Sequence, residues 1–229
     1  MKDYCAIKTV AMENRMDAGM AEIEAEKSDI YYISPFNAAL KRFFDIVLAV
    51  SGMIVFSPLY LVIWLMIKIE DHGPAIFSQE RIGYKGKPFT IYKFRSMVTD
   101  AEKDGEAQLC HEDDDRLTKV GNFLRSHHLD ELPQLWNVLK GDMSFVGPRP
   151  ERECFISMIL ERNPDYRYLY RVRPGLFSEA TLYNGYTDTM EKMLERLRMD
   201  LDWLRKQSVW LDARIVFLTV WSILSGKKF

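Results

Sequence analysis

Residues 46–67 run for 22 positions without a charge, IVLAVSGMIVFSPLYLVIWLMI. A run of this length and hydropathy meets the requirement for crossing the hydrocarbon core of a bilayer. A helix buried in a soluble core is rarely apolar on every side. The run therefore predicts a membrane element around which the rest of the chain must fold. Its centre holds Ser57-Pro58. Proline removes a backbone donor and pushes the preceding residue away from helical geometry, so a kink or break is expected there. The serine hydroxyl is placed to satisfy a carbonyl that the break releases. Two topologies fit. A kinked spanning helix puts residues 1–40 across the membrane from the remainder. A helix–break–helix hairpin dips in and returns, leaving both ends cytoplasmic. Lys41 and Arg42 before the run and Lys68 after it give basic flanks at both ends, which leans toward the hairpin.

The other 207 or so positions are those of a globular protein large enough for one core. Net charge is −2, so no bulk basic field argues for nucleic acid. Cys5, Cys110 and Cys154 have neither metal-ligand nor redox-pair spacing and read as reduced thiols. Residues 1–36 carry seven acids and four bases without an apolar stretch, so they are no signal peptide. They read as a polar leader, with a surface helix over 11–27 or disorder as alternatives.

After the apolar run, AIFSQERIGYKGKPFTIYKFRSM reads as a β-hairpin around a Gly-Tyr-Lys-Gly-Lys-Pro turn. Lys93 and Arg95 follow each other at strand spacing. They point together at an anion or else protect a solvated edge. Asp113, Asp114 and Asp115 fit either a divalent cation or acids at a helix N-terminus. His111, His127 and His128 lack zinc-like spacing.

A short helix over 117–125 leads to LRSHHLDELPQLWNVLKGDMSFVGPRP, with Asp130-Glu131 at its centre. The spacing predicts a helix over 130–139, with Asp130 as its N-cap, Pro133 in the first turn and Gly141 as its stop. Leu132, Leu135, Trp136 and Leu139 would form its buried stripe. Adjacent helical side chains diverge by about 100°, so the two carboxylates would have separate jobs. Plain capping by Asp130 is the alternative. Pro148-Arg149-Pro150 fixes a guanidinium on a stiff backbone, which suits phosphate or a uracil-type edge as well as a structural ion pair. Arg162, Arg167, Arg171 and Arg173 alternate with Tyr166, Tyr168 and Tyr170, as either an anionic-headgroup or substrate surface or a solvated face. An amphipathic helix is expected over 189–206. The apolar segment 211–224, with Trp210, Trp221, Lys227 and Lys228, is expected either in a membrane interface or in the core.

These motifs resemble the bacterial sugar transferase family, the monotopic phosphoglycosyl transferases. The likeness rests on KRFFDIVLAVSGMIVFSPLYLVI, QERIGYKGKPFTIYKFRSM, LTKVGNFLRSHHLDELPQLWNVLKGDMSFVGPRPE and the terminal VWLDARIVFLTVWSILSGK, nearly everything after Phe36. The resemblance implies a re-entrant membrane hairpin broken at Ser57-Pro58. It implies Asp130 as nucleophile on the sugar-bearing phosphate of a UDP-sugar, expelling UMP and passing the phosphosugar to undecaprenyl phosphate. Glu131 would support acid–base and metal chemistry, with Mg²⁺ held by Asp130 and Glu131. Arg125, Lys93 and Arg95 would meet phosphate, and Pro148, Arg149 and Pro150 the nucleotide. Two departures stand out: His128 where many relatives have Ser or Thr, and PGLFSEATLYNGYTD in place of a PGITGLWQV-like segment.

The expected fold is α+β and mainly helical: a re-entrant membrane helix hairpin, a small β-hairpin and amphipathic interfacial helices around a cytoplasmic catalytic domain. Its expected divisions are a polar leader (1–36), the membrane hairpin (37–70) and a membrane-associated catalytic domain (71–229), a compact form without a multi-span region. The expected setting is the cytoplasmic face of a bacterial inner membrane, with lipids as partners, homodimerisation open and no nucleic acid. A catalytically silent scaffold in a glycan-assembly complex is the alternative function.

Overall fold

The apolar run folds as two helices rather than one. Helix α1 (Pro35–Val55) opens with Ser34 as N-cap, its hydroxyl accepting from Asn37 N at 3.2 Å. Helix α2 (Ser57–Glu70) follows α1 with only Phe56 between them. The break falls at the expected place, and the axes of the two helices differ by 61°. Ser57 Oγ donates to Ile54 O at 2.8 Å, satisfying a carbonyl at the break as its position suggested. Among the described residues, no single helix is long and apolar enough to cross a membrane, and only this bent pair together reaches that length and hydropathy.

The computed structural model describes residues 34–101, 114–185 and 187–225. Residues 1–33 of the leader with its expected helix, and Cys5, Cys110, His111, Asp113, Lys227 and Lys228, lie outside those residues.

Strands β1 (Ile76–Ile82) and β2 (Pro88–Phe94) pair antiparallel with Ile76 opposite Phe94 and Ile82 opposite Pro88, the expected hairpin. Lys85 at φ 59 and Gly86 at φ 68 turn its tip. The chain is mainly helical thereafter: α3 (Lys119–Ser126), α4 (Gln134–Lys140), α5 (Glu153–Arg162), α6 (Glu179–Asn184), α7 (Met190–Lys206) and α8 (Val209–Leu224). A second small sheet pairs β3 (Ser144–Val146) in parallel with β4 (Gly175–Phe177).

Three apolar clusters hold these elements. Ile63 and Ile67 of α2 pack with Phe94 and Leu124. Ala49 of α1 packs with Ile91, Val138 and Met143. The largest joins α5, α7 and the 3₁₀ segment Pro164–Arg171, around Ile156, Ile159, Leu197 and Trp203. Tyr166, Tyr168 and Tyr170 are buried in that cluster, so the tyrosines expected at a headgroup or substrate surface are core residues instead. Their aromatic area is worth more inside than the exposure of three hydroxyls.

The helix expected over 189–206 forms as α7, with Thr189 as N-cap. Its buried face carries Arg196 and Asp200 as well as leucines. On α8, Ile215 is buried whereas Trp210, Phe217 and Trp221 are exposed, so this helix is not a fully buried core element. Lys41 and Arg42, read from the sequence as flanking charges, are engaged within the protein. Lys41 Nζ pairs with Asp212 at 2.6 Å, and Arg42 donates to Val138 O at 2.6 Å and Leu139 O at 2.8 Å.

Candidate active site

Two carboxylates are delivered by a turn that the sequence did not reveal. His128 stands at φ 55, in the left-handed region, and reverses the chain at the end of α3. Leu129–Glu131 then form a single 3₁₀ turn, and α4 begins only at Gln134. The helix expected over 130–139 with Asp130 as N-cap is thereby corrected. Pro133 has no N–H, so no α-type bond can return from it to Leu129. Tighter bonds take over, from Glu131 N to His128 O and Leu132 N to Leu129 O, both 3.3 Å. The buried face also differs. Trp136 is exposed, while Gln134, Asn137 and Val138 join Leu135 inside.

Asp130 is 6% exposed. Lys93 reaches Glu131 Oε1 at 2.7 Å, and Arg149 Nη2 reaches the same oxygen at 3.3 Å. The environment drives the two carboxyls apart. Burial pushes Asp130 up to about 6; Lys93, Arg125 and Arg149 oppose it and Glu131 reinforces it. Burial alone would raise Glu131 too, but Lys93 and Arg149 hold it well below the usual carboxylate range. Burial also lowers the His128 imidazole, aided by Arg149, Lys93 and Arg125 and opposed by Glu131, so that ring is neutral at pH 7. The Glu131 charge in turn raises Arg149.

Each cation arrives from a different element. Lys93 projects from β2, whose neighbour Ile91 is core. Arg125 ends α3, which Thr118 caps by accepting from Gly121 N at 2.9 Å. The Glu70 carboxylate, at the end of α2, accepts from Lys119 N at 2.8 Å, an acid at a positive helix end. Arg149 stands in the proline-fixed turn. Pro150 O accepts from Arg81 Nη1 at 3.3 Å.

Arg95 goes elsewhere. Its guanidinium pairs with Asp71 Oδ2 at 3.2 Å and donates to Asp71 O at 3.0 Å, binding the end of α2 to the hairpin. It therefore does not point with Lys93 at one anion, because Arg95 lies beyond the last residue of β2, where strand alternation no longer fixes its direction. Asp114 pairs with Arg116 at 2.5 Å and lies ahead of the α3 cap rather than inside the helix. Ser57 and Pro58 stand at the helix break.

Sequence reasoning missed three contributors. Asn137 joins α4 to β2: its Oδ1 accepts from Tyr92 N at 3.1 Å, and its Nδ2 donates to Thr90 O at 2.7 Å. A lone amide inside the apolar run LWNVL was the available signal. Gln134, the first residue of α4, is buried with Nε2 unpartnered among the described residues. Glu151 is buried between Arg81 at 3.4 Å and Arg196 at 2.7 Å, and nothing local marks it.

The arrangement suits chemistry on a phosphorylated substrate. One buried carboxyl sits near its titration range, a second stays ionised, and three cations face the pair. Among the described residues no group of three His, Cys, Asp or Glu side chains can hold a metal. Two adjacent carboxylates are nevertheless a fitting partial set for Mg²⁺, which commonly takes one or two carboxylates and completes its shell with substrate phosphate and water.

The family model for bacterial sugar transferases matches residues 36–226. The chain belongs to that family. Among curated bacterial sugar transferase relatives, a UDP-N-acetylgalactosamine-undecaprenyl-phosphate N-acetylgalactosaminephosphotransferase of Aeromonas hydrophila is 42% identical over 193 residues, 84% of this chain and 45% of that protein. A UDP-glucose:undecaprenyl-phosphate glucose-1-phosphate transferase of Escherichia coli is 45% identical over 190 residues, 82% of this chain and 41% of that protein. The exopolysaccharide production protein PSS of Rhizobium leguminosarum is 40% identical over 200 residues, 84% of this chain and 100% of that protein. The chain spans less than half the length of the first two.

Proposed function

We propose that this chain transfers a sugar 1-phosphate from a UDP-sugar to undecaprenyl phosphate, releasing UMP and initiating a lipid-linked glycan. The observation that carries the proposal is the buried Asp130 carboxyl set beside an ionised Glu131 and faced by Lys93, Arg125 and Arg149. The names of the relatives supply the reaction class; the residues supply the steps.

Asp130 attacks the sugar-bearing phosphorus. The bond to the bridging oxygen breaks, and UMP leaves with that oxygen and its electron pair. Asp130 then carries the phosphosugar as an acyl phosphate. An oxygen of undecaprenyl phosphate attacks the same phosphorus and returns Asp130 as a carboxylate. Both steps bring anion to anion, so neutralisation and alignment are what the protein must provide. Lys93 and Arg149, which pair with Glu131, and Arg125, whose charge acts on Asp130, are the cations that would neutralise the entering phosphates. Asp130 and Glu131 would hold Mg²⁺, which would supply further charge neutralisation. The His128 ring, neutral at pH 7, adds no charge.

Such a reaction needs a soluble nucleotide sugar and a lipid phosphate at one interface. The bent pair α1–α2 with its exposed apolar faces, and Trp210, Phe217 and Trp221 on α8, support a monotopic seat on the cytoplasmic face of the membrane. On this reading residues 37–70 dip in and return, and 71–229 form the catalytic part.

The test uses the full chain in membranes with Mg²⁺, undecaprenyl phosphate and a panel of UDP-sugars that includes UDP-glucose and UDP-N-acetylgalactosamine. UMP release with at least one donor is expected, together with a phosphosugar adduct on Asp130 by mass spectrometry when the acceptor is withheld. Folded protein that releases no UMP from any donor overturns the reading.

A further inference from the structure

Tyr60 lies in the first turn after the helix break, and it touches both halves of the candidate site. Its hydroxyl donates a short hydrogen bond to Leu132 O, in the backbone directly after Asp130-Glu131. Its ring meets the Phe94 ring edge-on at 5.3 Å, one residue after Lys93. The carbonyl it binds is an unusual one. Pro133 interrupts regular helical bonding here, and Leu132 O otherwise receives Leu135 N through a tight bond at 3.1 Å. A carbonyl has two lone pairs. The second donor from Tyr60 fixes the orientation of the Leu132–Pro133 peptide plane.

The other arm of the bent pair holds the far end of the same short helix. Arg42 of α1 donates to Val138 O and Leu139 O at the C-terminal end of α4. Between these two anchors Gly52 sits so close to α4 that a Cβ there would stand 3.0 Å from Leu135 Cδ1. Helix α4 is thus gripped at both ends by residues on opposite sides of a 61° bend. Straightening the pair would carry Tyr60 away from Leu132.

We propose that Tyr60 is a positioning residue: through Leu132 O and Phe94 it ties the bend of the membrane-helix pair to the register between the Asp130-Glu131 turn and Lys93. The proposal deepens the phosphosugar-transfer reading and rests on it for its kinetic consequence. The carboxylate turn is then set by the shape of the α1–α2 pair as well as by its own sequence.

The test uses the full chain in lipid nanodiscs, comparing wild type with Tyr60→Phe, which keeps the ring against Phe94 and removes only the donor. For UMP release, kcat is expected to fall about fivefold to tenfold, the effect of losing one positioning hydrogen bond. KM for the UDP-sugar is expected to stay unchanged, and the thermal midpoint to fall by no more than about 2–4 °C, the cost of one hydrogen bond. Unchanged kcat, or parallel loss of kcat, KM and thermal midpoint, overturns the proposal. Hydrogen exchange on the same samples separates this proposal from the functional reading. Amides of Glu131, Leu132 and Leu135 are expected to exchange faster in Tyr60→Phe while those of α7 do not change. Equal exchange at the turn overturns the proposal. If no UDP-sugar yields UMP with wild type, the functional reading fails and the exchange result still decides the positioning role.

Discussion

Lys93 Nζ stands 2.7 Å from Glu131 Oε1, across a gap that no local sequence rule joins: one residue is in the β-hairpin and the other in a 3₁₀ turn 38 positions later. The pair fixes which of two adjacent carboxyls stays ionised. Glu131 takes the lysine and shares Arg149, and Asp130 is left buried with its carboxyl raised. A raised, buried carboxyl costs stability at neutral pH, and that cost is measurable.

Asp130→Asn is expected to be inactive and more stable than wild type at pH 7.5. The folded state binds the Asp130 proton more tightly than the unfolded state, from an ordinary 3.8 to about 6. Stability from such a group is full below the ordinary value and is lost as pH rises through about 6. The neutral amide removes that loss, by at most about 3 kcal/mol. The gain should shrink as pH falls and vanish below about pH 3, where the carboxyl is protonated in both states. Denaturant unfolding of both proteins from pH 7.5 down to about pH 3 in EDTA reads this out; a difference between variant and wild type that does not change with pH would contradict the burial argument.

Arg149→Lys is expected to separate charge from shape. Lysine keeps the cation but loses the planar fork that proline on both sides presents. KM for the UDP-sugar should rise about tenfold, the cost of about 1.4 kcal/mol of binding. The Arg149 side chain is 37% exposed, so its ion pair with Glu131 adds only about 0–1 kcal/mol of stability and the thermal midpoint should barely move. Initial-rate kinetics over a range of donor concentrations, alongside calorimetry, checks both halves.

Gly121→Ala is expected to damage the site from a distance. A Cβ at Gly121 would fall 1.9 Å from Ser96 O, a backbone atom with little room to yield. Helix α3 must then lift off the segment after β2, and α3 carries Arg125 in its last turn. Overpacking of this kind costs about 1–3 kcal/mol, with activity falling as Arg125 moves from Asp130. Unfolding midpoints and UMP release should fall together, and a fully stable Gly121→Ala would mean that the helix has another way to dock.

What could be read from the sequence was local. The break at Ser57-Pro58 follows from proline chemistry, the β-hairpin from its turn residues and α7 from its apolar period, and all three formed. Capping preferences describe Asp and Pro separately and so point to a helix start at Asp130-Glu131, where a 3₁₀ turn forms instead. The geometry is set jointly by His128 at φ 55 and a proline that cannot return a bond. Strand alternation puts Arg95 on the same face as Lys93, but the strand ends before it. Tyr166, Tyr168 and Tyr170 sit among arginines in sequence but under α7 in space. Asn137, Glu151 and Tyr60 act over 45 or more positions, through partners that only the fold brings close.

Glu151 gives the sharpest test of that long-range organisation. It follows Pro150 directly, and each carboxylate oxygen meets an arginine from a different element: Oε2 lies 3.4 Å from Arg81 of β1, and Oε1 lies 2.7 Å from Arg196 of α7. Its backbone oxygen also accepts from Ile82 N at 3.1 Å, so the whole residue is fixed. Removing one partner of a buried pair leaves the remaining charges without compensation and costs about 3–5 kcal/mol. Glu151→Ala removes the carboxylate that Arg81 and Arg196 share and should approach the upper end. Glu151→Gln keeps one acceptor and the shape, and is expected to lose less. Because only Pro150, whose φ is fixed, separates Glu151 from Arg149, the glutamine variant should also raise KM for the UDP-sugar while leaving kcat near wild type. A Glu151→Gln enzyme with lowered stability and unchanged KM would show that the network supports the core without placing Arg149.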